Sequence, residues 1–309
     1  QIITISLNKS IVKMLLTSNF RTRSLLSYIY QGLAFGTFAL IFYTVADLLV
    51  KYPAAKMGNR AASIITLGVS NVPIVIALVL TANGAHFSYM MVVLSAISGI
   101  CLGGGTLMVL KSLESQQVTN TMALIELGLV LTVVYGIFVL HESERVLGYV
   151  GVVGIFVGSL LVSTKGLTIN TKLIPAMVGN IIWGGQFIAI YYAINYTNNI
   201  LLPALISSVT AVVTIELYAL LSGGHHFAFR SGMRRPLYVG IISGAFLGLG
   251  LIAVMFIMEF HVLPTGMSLM AIEPVLITIL GVVFYRDSIT KVQALGILLA
   301  TLGAIVLAG

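Results

Sequence analysis

Residues 267–309 read MSLMAIEPVLITILGVVFYRDSITKVQALGILLATLGAIVLAG. One apolar span carries Glu273 and Pro274 in its middle and ends at a two-charge turn, Arg286-Asp287. A second apolar span follows, marked by Gly296 and Gly303. The same layout occurs 145 residues earlier, at 122–164. Extended upstream, that shift aligns Ser98/Ser243, Gly99/Gly244, Gly103/Gly248, Gly105/Gly250, Glu114/Glu259, Met122/Met267, Gly136/Gly281, Ser143/Ser288, Gly151/Gly296 and Gly158/Gly303 without a gap. Leu and Val match by chance in apolar sequence, whereas six glycine pairs and a Glu pair do not. Farther upstream Phe35-Gly36 and Trp183-Gly184 correspond at a shift of 148, so a small insertion separates the first helix pair.

The composition explains what is being repeated. The chain is 59% hydrophobic and 8% charged, with a mean hydropathy of +1.08; soluble domains carry roughly a quarter charged residues. Apolar runs of membrane-crossing length recur from Tyr28 onward, without the alternating ten-residue segments of a transmembrane barrel. The sequence therefore predicts an all-α membrane protein. Ten spans are expected, at about 28–50, 62–82, 87–110, 119–140, 146–164, 173–194, 200–221, 237–258, 264–284 and 290–308. They are joined by short loops that leave no room for a soluble domain.

Five spans per half is an odd number, so the second half is expected to run inverted relative to the first. The expected domains are residues 28–165 and 172–309, two inverted five-helix repeats. A basic amphipathic extension at 1–27 precedes them, carrying Lys9, Lys13, Arg21 and Arg23 and suited to the bilayer surface. Inverted repeats are the build of secondary transporters, whose substrate site lies near the midplane between halves.

Ten spans as five plus five, Trp183-Gly184 near the start of the sixth, and an acidic turn before a glycine-punctuated last span resemble the drug/metabolite transporter superfamily, EamA-like branch. The turns themselves, Tyr285-Arg286-Asp287 and Leu140-His141-Glu142, depart from that family's usual Gly-Glu-Arg. The resemblance covers about residues 28–309. It implies alternating-access transport of small solutes: often export of amino acids or other metabolites, in other branches nucleotide sugars or sugar phosphates. It also implies an integral, multi-pass protein of a prokaryotic cell (inner) membrane, working as monomer or homodimer.

Ionised carboxylates at membrane depth cost several kcal/mol, which makes each a candidate site. Glu273 lies in the ninth span, Glu126 in the fourth and Glu216 in the outer half of the seventh. All three are candidates for proton coupling, and the first two for substrate binding as well. The gapless register pairs Glu273 with Gly128 and Glu126 with Ala271, so the two acids are not symmetry mates and the site is expected to be asymmetric. The alternative reading of each is a protonated Glu bonded to a neighbouring helix. Asp47 reads as an interfacial acid beside Lys51, at the end of the first span.

Further candidate binding groups are Asn180, Trp183, Gln186 and Tyr191 on the sixth span, Tyr43 on the first and Asn71 before Pro73 on the second. Aromatic faces attract organic cations, although core packing is the commoner fate of such residues. Asn71 equally suits a role in satisfying backbone groups freed by the proline.

No Lys or Arg is placed deep in these spans, which disfavours phosphate-bearing substrates. Cationic or zwitterionic solutes fit better, with the proton as coupling ion. Rival readings are a facilitative carrier of neutral or anionic metabolites and a non-transporting membrane scaffold. The net charge of +7 is spread over short loops and does not describe a nucleic-acid surface. The single cysteine, Cys101, permits neither an internal disulfide nor a cysteine metal cluster. His225-His226 reads as a solvated loop. No metal or cofactor is expected, and no catalytic motif of an enzyme is present.

Lys and Arg number five in alternate loops on the side of the N-terminus and eleven on the other. The positive-inside rule then puts the termini outside, the resemblance puts them inside, and orientation stays open.

Overall fold

A computed structural model describes the backbone except at residues 1, 82–85, 126, 129–130, 132–134, 136–145, 166–167, 223–232, 260–269, 271 and 309, and the side chains of the described residues from Tyr30 on, save at 146–148, 152, 163–165, 168–169 and 307–308. Helix α1 runs Ile2–Met57, so the N-terminal extension and the first span form one helix. It is followed by α2 (Asn59–Thr81), α3 (Tyr89–Leu113) and the short α4 (Val118–Met122). Helix α5 (Val146–Ser163) leads to a two-residue antiparallel ladder, β1 (Thr164–Lys165) with β2 (Thr168–Ile169). Then come α6 (Ile174–Ile194), α7 (Leu201–Leu221), α8 (Arg234–Glu259), α9 (Glu273–Leu280) and α10 (Lys291–Ala308).

Among the described residues, six helical stretches are long and apolar enough to cross a membrane: Tyr30–Met57, Asn59–Thr81, Tyr89–Leu113, Thr171–Ile194, Leu201–Leu221 and Arg234–Glu259. Shorter apolar helices lie at Tyr149–Val162, Glu273–Tyr285 and Lys291–Val306. Much of the expected fourth span falls outside the described residues. These helices make the chain an all-helical, multi-pass membrane protein.

Helix ends follow local chemistry. Gly58, at φ +86°, takes the left-handed conformation that stops α1 after Met57, and α2 starts at the next residue. The first donor of α2, the Asn59 N–H, is bonded by the Glu114 carboxylate. Thr290 and Gln293 form a reciprocal cap at the start of α10: the Gln293 N–H donates to Thr290 Oγ1 at 3.2 Å, and the Thr290 N–H to Gln293 Oε1 at 3.1 Å. Ser112 Oγ accepts from the Ala176 N–H at 3.1 Å, supplying a partner to the otherwise unpaired first turn of α6.

The first span is longer than the apolar run suggested. It reaches Met57 rather than residue 50, which carries Lys51 inside the helix, half-buried. The helix continues because the ammonium finds partners: Lys51 Nζ donates to the carbonyls of Leu113 and Gln116 at the C-terminal end of α3, where the helix dipole favours a cation.

Close helix contacts rest on the glycines. A Cβ on Gly99 of α3 would lie 2.3 Å from Ser207 O of α7, and one on Gly244 of α8 would lie 2.5 Å from Thr66 O of α2. An added Cβ would lie 2.5 Å from Ala211 O at Gly103 and 2.3 Å from Ser70 O at Gly248. On the α5–α10 contact it would lie 2.5 Å from Gly296 O at Gly158 and 2.6 Å from Gly151 O at Gly303. These approaches place small residues where backbones touch. The main helix partners are α3 with α6 and α7, α8 with α1 and α2, α2 with α7, and α5 with α10.

Candidate functional site

Glu273 is 3% exposed and Asp47 is 7% exposed. The two carboxyl groups, one on α9 and one on α1, are hydrogen-bonded to each other. A hydrogen bond between carboxyl groups needs a proton on at least one of them. Asp47 sits roughly 5 Å from the midpoint of the Tyr30–Met57 stretch at 1.5 Å per residue. It is therefore a buried group well inside a helix that continues past the end of the apolar run at Val50 to Met57. Asp47 Oδ2 is buried and has no hydrogen-bond partner among the described residues.

Backbone irregularity brings Glu273 there. Pro274 lacks a donor, and the first turn of a helix is where that loses no intrahelical hydrogen bond. Accordingly α9 starts at Glu273, with Val275 and Leu276 donating to Ile272 O. The dipole of α9 favours the negative charge of a first-turn carboxylate.

The corresponding stretch of the first half is irregular too. Leu124, Ile125, Leu127 and Gly128 donate to carbonyls three residues back, a tighter winding than an α-helix. Where the second half has Glu273, this half has Gly128, whose added Cβ would lie 2.8 Å from Asn180 O.

Tyr43 stands one turn from Asp47 on α1, within electrostatic reach of both carboxyls, and its ring lies against Gly250. The structure thus brings together Tyr43, Asp47 and Glu273. Glu126 lies outside the described residues. Glu216 is exposed on α7 and so stands apart from the buried pair, because the seventh span turns it away from the interior.

The remaining candidates divide by their partners. Trp183 Nε1 donates to Leu102 O and Thr106 Oγ1, both at 3.3 Å, and the ring presses on Gly105, which fastens α6 to α3. Asn71 Nδ2 donates to Leu67 O at 2.9 Å and Gly68 O at 3.3 Å, within its own helix. The carbonyl that Pro73 frees is that of Val69, so Asn71 does not serve the proline. Asn180 is buried, with Nδ2 on Ala176 O at 2.9 Å and Oδ1 unpartnered among the described residues. Gln186 is buried on the same helix. Tyr191 is 37% exposed and meets Tyr192 edge-on, away from the acid pair's elements.

A second polar cluster lies one turn beyond Asp47, towards the C-terminal end of α1. Lys51 is held by the α3 carbonyls and feels the Asp287 carboxylate. Asp287 Oδ2 accepts from the Thr119 N–H at 3.1 Å, and Tyr285 Oη donates to Leu48 O at 2.8 Å. Gly281–Tyr285 winds as a π-turn and Arg286 sits at φ 56°, which folds Asp287 back until its N–H reaches Gly281 O. Leu48, Val50, Leu113, Val118, Met122 and Ile277 pack around this layer. Neither Asp47 nor the cluster was read as a site from the sequence; the available signal was the four-residue spacing of Tyr43, Asp47 and Lys51 on one helical face.

No family model matches the chain, and no curated protein matches it. Among solved structures, 26 chains match. One crystal structure of a protein has a TM-score of 0.62 at 17% identity, covering 89% of this chain and 95% of that one. At that identity the likeness is one of fold.

Proposed function

We propose that this chain is a secondary transporter of the EamA-like, drug/metabolite type. It is built of ten spans in two inverted five-helix repeats and moves small cationic or zwitterionic metabolites, such as amines or amino acids, against protons. The observation that carries the reading is the buried Asp47–Glu273 pair, with one carboxyl contributed by each half. One proton bridges the pair. A cationic group that enters between the carboxyls takes over that proton's electrostatic role and releases it, which makes binding an exchange.

Packing supports the repeat. Exchanging the halves turns α3–α6 into α8–α1 and α3–α7 into α8–α2, and returns α2–α7 and α5–α10 to themselves. Each of these exchanged pairs is present. The Gly99/Gly244 and Gly103/Gly248 contacts exchange in the same way. Such a pairing lets either half adopt the other's arrangement, the basis of alternating access. An anionic substrate would want a free cation. Lys51 is the half-buried one at the pair's end of α1, and its donors are already bonded to carbonyls. The compartment assigned by this reading is the inner membrane of a prokaryotic cell.

The test is flux into proteoliposomes with and without a pH gradient, across amino acids, amines and sugar phosphates. Gradient-driven movement of a cation or zwitterion is expected. Movement of sugar phosphates alone, or of nothing across the panel, would refute the assignment.

A further inference from the structure

The acid pair and the polar layer beneath it share helix α1, and their bonding is unbalanced. Asp47 keeps a buried carboxylate oxygen without a hydrogen bond among the described residues. Lys51, four residues on and therefore on the same face, has its ammonium turned away to the carbonyls of Leu113 and Gln116. An acid placed four residues before a lysine is the favoured order for a helical ion pair, yet here the pair is not made. What holds Lys51 away belongs to other elements: the end of α3, and Asp287 on the turn that also grips Thr119 and, through Tyr285, Leu48.

We propose that Lys51 is the movable bolt of a gate at the membrane face where α1 ends. The gate is closed when Lys51 binds the α3 carbonyls opposite Asp287. It is open when that turn withdraws and Lys51 pairs with Asp47. In the open state the ammonium neutralises Asp47 from within the protein, so the pair no longer needs a proton or a substrate cation, and the bound cation leaves towards that face. The structure holds the closed state. This inference rests on the transporter reading for its purpose, but the gate itself can be measured without any substrate.

In a Cys101→Ser background, a single cysteine at Leu48, between the two sites, reports opening through its rate of reaction with a positively charged methanethiosulfonate in nanodiscs. Lys51→Gln removes two charge-assisted hydrogen bonds and is expected to speed labelling about tenfold, with Asp287→Asn smaller at roughly threefold and Lys51→Arg near the parent. Asp47→Asn deprives the open state of its ion pair and is expected to slow labelling. A second reporter cysteine at Phe35, towards the opposite end of the Tyr30–Met57 stretch, is expected not to speed up, which separates a gate from general loosening. Unchanged Leu48→Cys labelling in both Lys51→Gln and Asp287→Asn would overturn the gate, as would equal acceleration at Phe35→Cys. Faster labelling in Asp47→Asn would overturn the partner exchange. Gate opening without flux of any cation in the same preparations would sink the transporter reading and leave the gate standing.

Discussion

Adding one methyl group at Gly99 tests whether backbone contact between α3 and α7 holds the bundle together. The new Cβ would lie 2.3 Å from Ser207 O and 2.6 Å from Thr210 Cβ. Ordinary contact needs about 3.5 Å, so the helices must part by about 1 Å, a displacement that overpacked sites resist at about 1–3 kcal/mol. The same movement stretches the Ser98–Ser207 hydroxyl contact from 2.9 Å beyond hydrogen-bonding range, and a buried hydrogen bond contributes about 1 kcal/mol. Gly99→Ala is therefore expected to destabilise the protein by about 2–4 kcal/mol. Its mate Gly244→Ala, at 2.5 Å from Thr66 O and 2.9 Å from Val69 Cβ, should lose a comparable amount. Gly104 has nothing within 4 Å of its added Cβ; Gly104→Ala should be neutral or gain up to about 1 kcal/mol of helix propensity. Reversible unfolding in mixed micelles with increasing dodecyl sulfate measures all three. Equal stability of Gly99→Ala and Gly104→Ala would refute the packing argument.

Three further outcomes are expected. Trp183→Phe loses the indole bonds to Leu102 and Thr106 and should cost about 1 kcal/mol in the same unfolding assay, with the substrate's half-saturation concentration unchanged in flux measurements. Arg286→Gly relieves a left-handed residue and should stabilise by about 1 kcal/mol. Cysteines at Thr119 and Gly281, where the added Cβ comes within 2.6 Å of Thr119 Oγ1, should form a disulfide that locks the closed face; flux should stop on oxidation and return on reduction.

The sequence carried the architecture further than the site. Glycines in register at 99/244, 103/248 and 158/303 survive because they sit at backbone contacts, and those contacts are what the shift of 145 detects. Glu273 was legible as an acid inside an apolar run, and Pro274 marked the irregular backbone that presents it. Asp47 was not legible, because depth was measured from the apolar run and that run stops at Val50. The helix goes on to Met57 because Lys51 finds carbonyl partners from a segment more than sixty residues away in sequence, and hydropathy holds no record of such a partner. Trp183 shows the converse: an aromatic residue on the expected face spends its one donor on a neighbouring helix.

On the proposed transporter reading, one proton is shared by Asp47 and Glu273 and given up when substrate binds. Proton release on addition of a transported cation to the purified protein in weakly buffered solution measures this directly. The account predicts about one proton released per chain, with none released by Asp47→Asn, Glu273→Gln or the double variant. Undiminished release from the double variant would contradict it.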